Sequence, residues 1–317
     1  MPVAVCADDS SAELGAGGLV LTRSADIRLV DEDLHISSKD VAARFTFVNE
    51  GRDDIDTVVA FPLPDINTSR FSEEPLGRTT RDPVNFVGFT VSENGRTVPF
   101  RVEQRAFYNG RDVSDVLRRA GVPLNVVDPG FSTALDGLPT QKLRMLEMSG
   151  LVDSESGSYP HPHWTVRTKF WWTQHFARGR AVVLDEHYHP VTGQSLVGRE
   201  ELDGNSENGR YWTNTYCIDA KMRAAAVAML AHNRSNPQSG NLLTALSVDY
   251  VLSTGNNWKG PIGHFRLVLD KLLPTNALSL CWDGTLTPAG TTRFESARKN
   301  FAPKDDIRFL ILQQSPL

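Results

Sequence analysis

The chain has 317 residues, 40% hydrophobic and 22% charged, with a formal net charge of −5. At about 150 residues per domain that length allows two cores, and no apolar run reaches the ~18 residues that would span a bilayer as a helix. Lysines and arginines are scattered rather than concentrated on one surface, which disfavours a nucleic-acid groove.

The first residues are Met1-Pro2-Val3-Ala4-Val5-Cys6-Ala7-Asp8-Asp9. Val5 and Ala7 fit the third and first positions before a signal-peptidase cut, because those side chains enter shallow pockets. No basic segment and no apolar run of adequate length precede them. Residues 1–7 therefore read as the tail of a leader, with the mature chain opening at Asp8 and the protein periplasmic or secreted. The competing reading is an ordinary cytosolic N-terminus. Lipidation of Cys6 is disfavoured, since Val5 stands where a small residue normally precedes a lipidated cysteine.

Period-two alternation comes next. Val41, Ala43, Phe45 and Phe47 share one face of a strand, and residues 49–54 supply a polar turn. Residues 57–61 form a second strand, stopped by Pro62 and Pro64, which cannot donate to a sheet ladder. Residues 86–102 read as a hairpin about Asn94-Gly95, a pair that accepts positive φ in a tight turn. Phe89 and Val91 lie on one arm, and Val98, Phe100 and Val102 on the other.

Residues 106–152 break the alternation. Asp112 caps a helix with Val113, Val116, Leu117 and Ala120 as its apolar stripe, ended by Gly121 and Pro123. A second helix covers 139–149, with Leu143, Met145, Leu146 and Met148 as a broad stripe that reads as core packing. Strands resume at 165–172 and 180–189, and the polar stretch 204–209 reads as a long hairpin loop or a domain boundary. Asp219 then caps a helix carrying Met222, Ala226, Met229 and Leu230. Residues 247–252, 264–269, 277–282 and 307–312 are strands.

If Cys6 leaves with the leader, Cys217 and Cys281 remain as an even pair, 64 positions apart. In an oxidising compartment a disulfide between them contributes about 4 kcal/mol by the chain-entropy argument. The other reading is two independent buried thiols.

Several stretches resemble a family of exported bacterial proteins known as domain of unknown function 4424. They are Asp9-Ser10-Ser11-Ala12-Glu13-Leu14 with Gly17-Gly18-Leu19, Glu32-Asp33-Leu34-His35-Ile36-Ser37, Phe61-Pro62-Leu63-Pro64-Asp65-Ile66 and Tyr216-Cys217. Thr254-Gly255-Asn256-Asn257-Trp258-Lys259-Gly260-Pro261-Ile262 and Phe265-Arg266-Leu267-Val268-Leu269-Asp270-Lys271 complete the set. The resemblance implies export and a common fold, and brings no activity. Phe45-Thr46-Phe47-Val48-Asn49 followed by Phe61-Pro62-Leu63-Pro64 is also similar to the start of the vault/inter-α-trypsin-inhibitor type domain, an interaction module; fold analogy of this kind carries no function.

Five of the eight histidines, His161, His163, His175, His187 and His189, fall within thirty positions. His187 and His189 are two apart, so a strand projects both to one face, a spacing found in metal sites on sheets. His163, next to Pro162 and His161, is the expected third ligand to a divalent metal, with His175, Asp185 and Glu186 also in reach. A plain polar edge is the competing reading. Trp171 and Trp172 must point to opposite faces of a regular strand, so one is core and the other lines a groove or packs under the helical insertion. Trp258 lies in a long loop, where it plugs the core or meets a ligand. Trp171, Trp172 and Trp258 are thus the candidate ligand-binding residues.

Gly130-Phe131-Ser132-Thr133-Ala134 lacks the final glycine of a nucleophile elbow and reads as a loop. No dinucleotide fingerprint, phosphate loop or Cys-x-x-Cys pair is present, and Asp53-Asp54, Glu73-Glu74 and Asp305-Asp306 read as solvated surface. The expected fold is mainly β: a sandwich, immunoglobulin-like or similar, over residues 8–205 with a helical insertion at 106–152, then a smaller β-rich domain with one helix over 206–317. The expected function is non-catalytic binding of a protein or small-molecule ligand in the bacterial cell envelope. The alternative is a metal-binding protein or metal-dependent hydrolase using His187 and His189.

Overall fold

The computed structural model describes residues 9–15, 18–70, 80, 82–154, 159–233 and 242–314. The expected leader, Cys6 and the Glu73-Glu74 pair lie outside the described residues. The chain opens with β1 (Ser10–Gly15), β2 (Gly18–Thr22), β3 (Ile27–Ser37), β4 (Val41–Asn49), β5 (Ile55–Pro62) and the short β6 (Ile66–Asn67). A hairpin of β7 (Thr90–Glu93) and β8 (Arg96–Thr97) precedes β9 (Arg101–Tyr108) and β10 (Arg111–Asp112). Three helices follow, α1 (Ser114–Ala120), α2 (Phe131–Asp136) and α3 (Thr140–Met148), then β11 (Val152–Asp153) and β12 (His161–Pro162). After β13 (Thr165–Phe176), β14 (Ala181–Tyr188) and β15 (Gly193–Val197) come α4 (Arg199–Asp203), α5 (Glu207–Tyr216) and α6 (Ala220–Asn233). The remaining strands are β16 (Leu243–Tyr250), β17 (Ile262–Asp270), β18 (Ala277–Leu280), β19 (Thr287–Ala289), β20 (Arg293–Phe301) and β21 (Ile307–Gln314).

Two large sheets face each other. One has the order β10-β9-β13-β5-β1-β2, with β6 also on β13; the other runs β19-β20-β17-β3-β4-β14-β7-β8. The alternation at residues 41–49 is the cause: Val41, Ala43, Phe45 and Phe47 are buried while Ala42 and Arg44 are exposed. An aromatic layer fills the space between the sheets. Phe89 stacks on Phe61 at 5.1 Å and on Phe170 at 4.4 Å between ring centroids, and Phe47 meets Trp258 at 4.7 Å. Such pairs add about 0.5–1.5 kcal/mol each beyond their buried area.

The hairpin forms with Asn94 at φ +48° and Gly95 at +80°. It closes over only two residues per arm before the chain crosses to the opposite sheet as β9. Asp112 Oδ1 accepts from Ser114 N at 2.9 Å and starts α1, and Gly121 at φ +85° ends it. The segment read as a loop at 130–134 opens α2 instead. Phe131 and Leu135, four apart and buried, dock it inward, with Phe131 5.9 Å from the Trp164 ring.

Beyond residue 206 the chain serves both bodies. β17 pairs with β3, parallel, and β20 extends the same sheet. β15-β16-β21-β18 form a separate four-stranded sheet covered by α4, α5 and α6. Met222 N donates to Asp219 Oδ1 at 2.7 Å, the expected cap of α6. The stretch 204–209, read as a hairpin loop or boundary, is the turn between two further helices, α4 and α5, with the first residues of α5. Gly209 lets them touch, since a Cβ there would stand 2.9 Å from the Glu200 carbonyl oxygen. Cys217, at the end of α5, is disulfide-bonded to Cys281 beside β18, with Cα atoms 5.0 Å apart.

Candidate functional site

Two places combine accessible space or convergent donors with chemistry. The first is a cleft of about 390 Å³ where the sandwich meets the helix-covered sheet. Its sandwich wall is the turn after β5, where Pro62 and Pro64 end the ladder, together with Phe86, Tyr188 and Pro190. The opposite wall carries Tyr211, Thr215 and Tyr216 from α5, Ser247 and Asp249 from β16, and Arg308 from β21.

The cleft's polar groups are held from behind. Asp65 accepts from Arg167 Nε at 3.2 Å, and the Arg167 guanidinium lies over the Phe107 ring at 4.4 Å. Burial raises the Asp65 carboxyl above its usual range, against the opposing pull of Arg167. Asp249 and Arg308 are register partners across β16 and β21, so opposite charges stand side by side at the mouth. The Tyr216 ring is braced by Trp212 at 5.4 Å. Walls that each combine aromatic rings with polar or charged groups suit a small ligand with an apolar body and an ionic or hydrogen-bonding end.

The second place is the outward end of β14. His187 and His189 project to the same side, as their spacing requires, and Asp40 meets them from the turn between β3 and β4. Asp40 Oδ1 is 3.3 Å from His187 Nε2 and 3.0 Å from His189 Nδ1. The expected third ligand, His163, is not there: its Nδ1 is 3.2 Å from Ser69 Oγ, on the side of the helical insertion. His175 is held by Asp56 at 2.8 Å. Asp185 pairs with Arg44 at 3.1 Å, and Glu186, on the alternate face of the strand, is buried. Asp40 was not foreseen because only the pairing of β4 with the distant β14 brings it beside His189.

The tryptophans divide by burial. Trp258 is fully buried, its Nε1 donating to the Asp9 carbonyl at 2.7 Å. Trp172 is buried in the same layer, its Nε1 donating to Gln174 Oε1 at 3.1 Å. Both are core residues, with no face left for a ligand. Trp171 points the other way, as alternation demands, and packs against Ala12, Leu19 and Ala60 under the Arg101 guanidinium at 5.2 Å. A shallow groove on the outer face of the larger sheet holds charges that satisfy one another, Arg266 with Asp33 at 3.0 Å and with Glu295 at 2.9 Å. Asp54 and Asp306, expected as solvated surface, accept backbone N–H groups from Arg178 and from Leu252 and Ser253.

A family model described as Domain of unknown function (DUF4424) matches residues 7–310. No curated protein matches the chain. One similar solved structure, described as a "putative nutrient binding protein" of Legionella pneumophila, shares 15% identity at a TM-score of 0.47, over 97% of this chain and 71% of that one. Another, an M1 zinc metallopeptidase mutant of Deinococcus radiodurans bound to a Tyr-Ser-Ala substrate, shares 7% identity at a TM-score of 0.28, over 92% and 43%. At those scores neither likeness carries an argument about ligand or chemistry.

Proposed function

The chain belongs to the DUF4424 family, which brings no activity with it, and on that premise we propose that it is a non-catalytic binding protein of the bacterial cell envelope. The observation that carries this reading is the cleft of about 390 Å³ between the sandwich and the helix-covered sheet. Its volume lies in the range of small-molecule sites, and its lining mixes aromatic, neutral polar and charged groups. The ligand class it fits is a small molecule or peptide end that presents both an apolar body and an ionic group. Export is supported by Val5-x-Ala7, by the pairing of Cys217 with Cys281, and by the family resemblance.

The test is a thermal-shift screen of the purified chain against free amino acids, di- and tripeptides, monosaccharides and short carboxylic acids. A binder at 100 times its Kd stabilises the fold by about 2.7 kcal/mol, and Ser247→Trp, which fills the cleft, is expected to remove that gain. A panel without a hit, or a hit indifferent to Ser247→Trp, would overturn the assignment. Export is tested separately: the periplasmic protein should begin at Asp8 on N-terminal sequencing.

The alternative reading, a metal-binding protein or metal-dependent hydrolase built on His187 and His189, gains one observation, the convergence of both rings on Asp40. That observation speaks to metal binding and not to hydrolysis.

A further inference from the structure

We propose that Asp40, His187 and His189 form a surface site for one divalent transition ion of the zinc, nickel or copper class. The site is separate from the ligand cleft, and its case does not depend on what the cleft binds.

Placement follows from the sheet. β14 and β4 pair antiparallel with Tyr188 opposite Val41 and His187 opposite Ala42. One step further, Asp40 stands opposite His189. Ala42, beside His187 in the register, has too small a side chain to crowd the rings. One donor atom from each of the three residues lies within 4.8 Å of the other two. Donors around a tetrahedral ion at about 2.0–2.2 Å stand roughly 3.3–3.6 Å apart. The gap is closed by rotating side chains that are 41–54% exposed, with no movement of the sheet.

The turn that carries Asp40 is fixed before any ion arrives. Ser37 Oγ accepts from Asp40 N at 2.9 Å and from Lys39 N at 3.1 Å, while Ser37 N donates to the Asp40 carbonyl at 2.9 Å. His189 is fixed as well. Its backbone N–H donates to the Val87 carbonyl at 2.9 Å, and its Nδ1–H donates to the Lys39 carbonyl at 2.9 Å. That same Nδ1 is the nitrogen 3.0 Å from Asp40 Oδ1, so an ion bound through it replaces the hydrogen bond to Lys39. The His187 and His189 rings stand nearly perpendicular, at 86° with centroids 5.3 Å apart.

Donor chemistry sets the class of ion. Two imidazoles and one carboxylate suit zinc, nickel and copper, whereas calcium and magnesium prefer an all-oxygen shell. Three protein donors leave room for water, so the ion keeps an open coordination position.

The experiment uses the full chain, untagged and stripped of metal, titrated with Zn²⁺ in competition with a chromophoric chelator at pH 7.5. One equivalent is expected to bind. His187→Ala and Asp40→Asn are each expected to weaken binding at least 10-fold, while His163→Ala and His175→Ala leave it unchanged. Absence of saturable binding would overturn the site, as would binding untouched by His187→Ala and Asp40→Asn, or binding removed by His163→Ala or His175→Ala. NMR of the wild-type imidazole nitrogens provides a readout independent of any variant's folding. Zn²⁺ should shift the His187 and His189 resonances, and shifts confined to other histidines would refute the assignment.

Discussion

Along β14, Glu186 and Tyr188 turn into the space between the two large sheets, while His187 and His189 turn out to solvent. Inside, Glu186 joins Asp9 and Glu32, all three buried. Burial pushes the Asp9 carboxyl up to about 7, partly offset by a hydrogen bond with Glu186. Burial, then the nearby charges of Asp9 and Asp31, holds Glu32 well above the carboxylate range. Outside, the Asp40 carboxylate is half in water beside two imidazoles. The residue types are similar and one strand carries both groups, so solvent access makes the difference. A dry carboxyl is most cheaply neutralised by a proton; a wet one stays free to take a cation.

The largest effect that would break this comparison is expected at Trp258, whose indole anchors the Asp9 backbone inside the sandwich. Trp258→Ala should cost about 3–5 kcal/mol in urea unfolding, and a cost below 1 kcal/mol would show that the inner layer is not packed as described. The next effect is a dependence on pH. Asp9 and Glu32 bind protons in the folded chain at pH values where the unfolded chain has released them. Raised folded pKa values mean that stability falls as pH rises, from about 4 through about 7 for Asp9. The slope is about 1.4 kcal/mol per pH unit for each proton retained. Glu32→Gln should flatten that slope, and a stability flat from pH 4 to 7 in the wild type would refute it. On the outer face Asp40→Asn should change stability by less than about 0.5 kcal/mol. The smallest effect is at the exposed His175, whose pKa is raised chiefly by its hydrogen bond to Asp56. In an NMR titration Asp56→Asn should lower the His175 midpoint, and a midpoint that stays put would refute the pairing.

Much of this was legible because period two is a strong signal. It gave the inward face of β4, the opposed Trp171 and Trp172, and the shared face of His187 and His189. Asp112 just before α1, the Asp219 cap of α6 and the Asn94-Gly95 turn were equally readable, since each acts within four residues of itself. β20 escaped notice because its residues are mostly polar and leave only Ser296 buried. α2 and α4 are too short, at six and five residues, to show a helical stripe. The cleft could not be read at all. Its walls come from segments near residues 65, 190, 215, 248 and 308, which only the tertiary fold brings together.

The parallel seam between β3 and β17 bears on how the molecule is made. Arg266 reaches Asp33 across 233 positions of sequence. Until residues 262–270 are available, one whole edge of β3 has no partner, and an open edge is a template for wrong pairing. Contacts so distant along the chain also slow folding, because loop entropy is lost before they form. A chain emerging N-terminus first would therefore hold an incomplete sheet for most of its synthesis, and a fragment cut near residue 205 should aggregate rather than fold. Protection of that edge, by a chaperone or by speed, becomes a condition of making the protein.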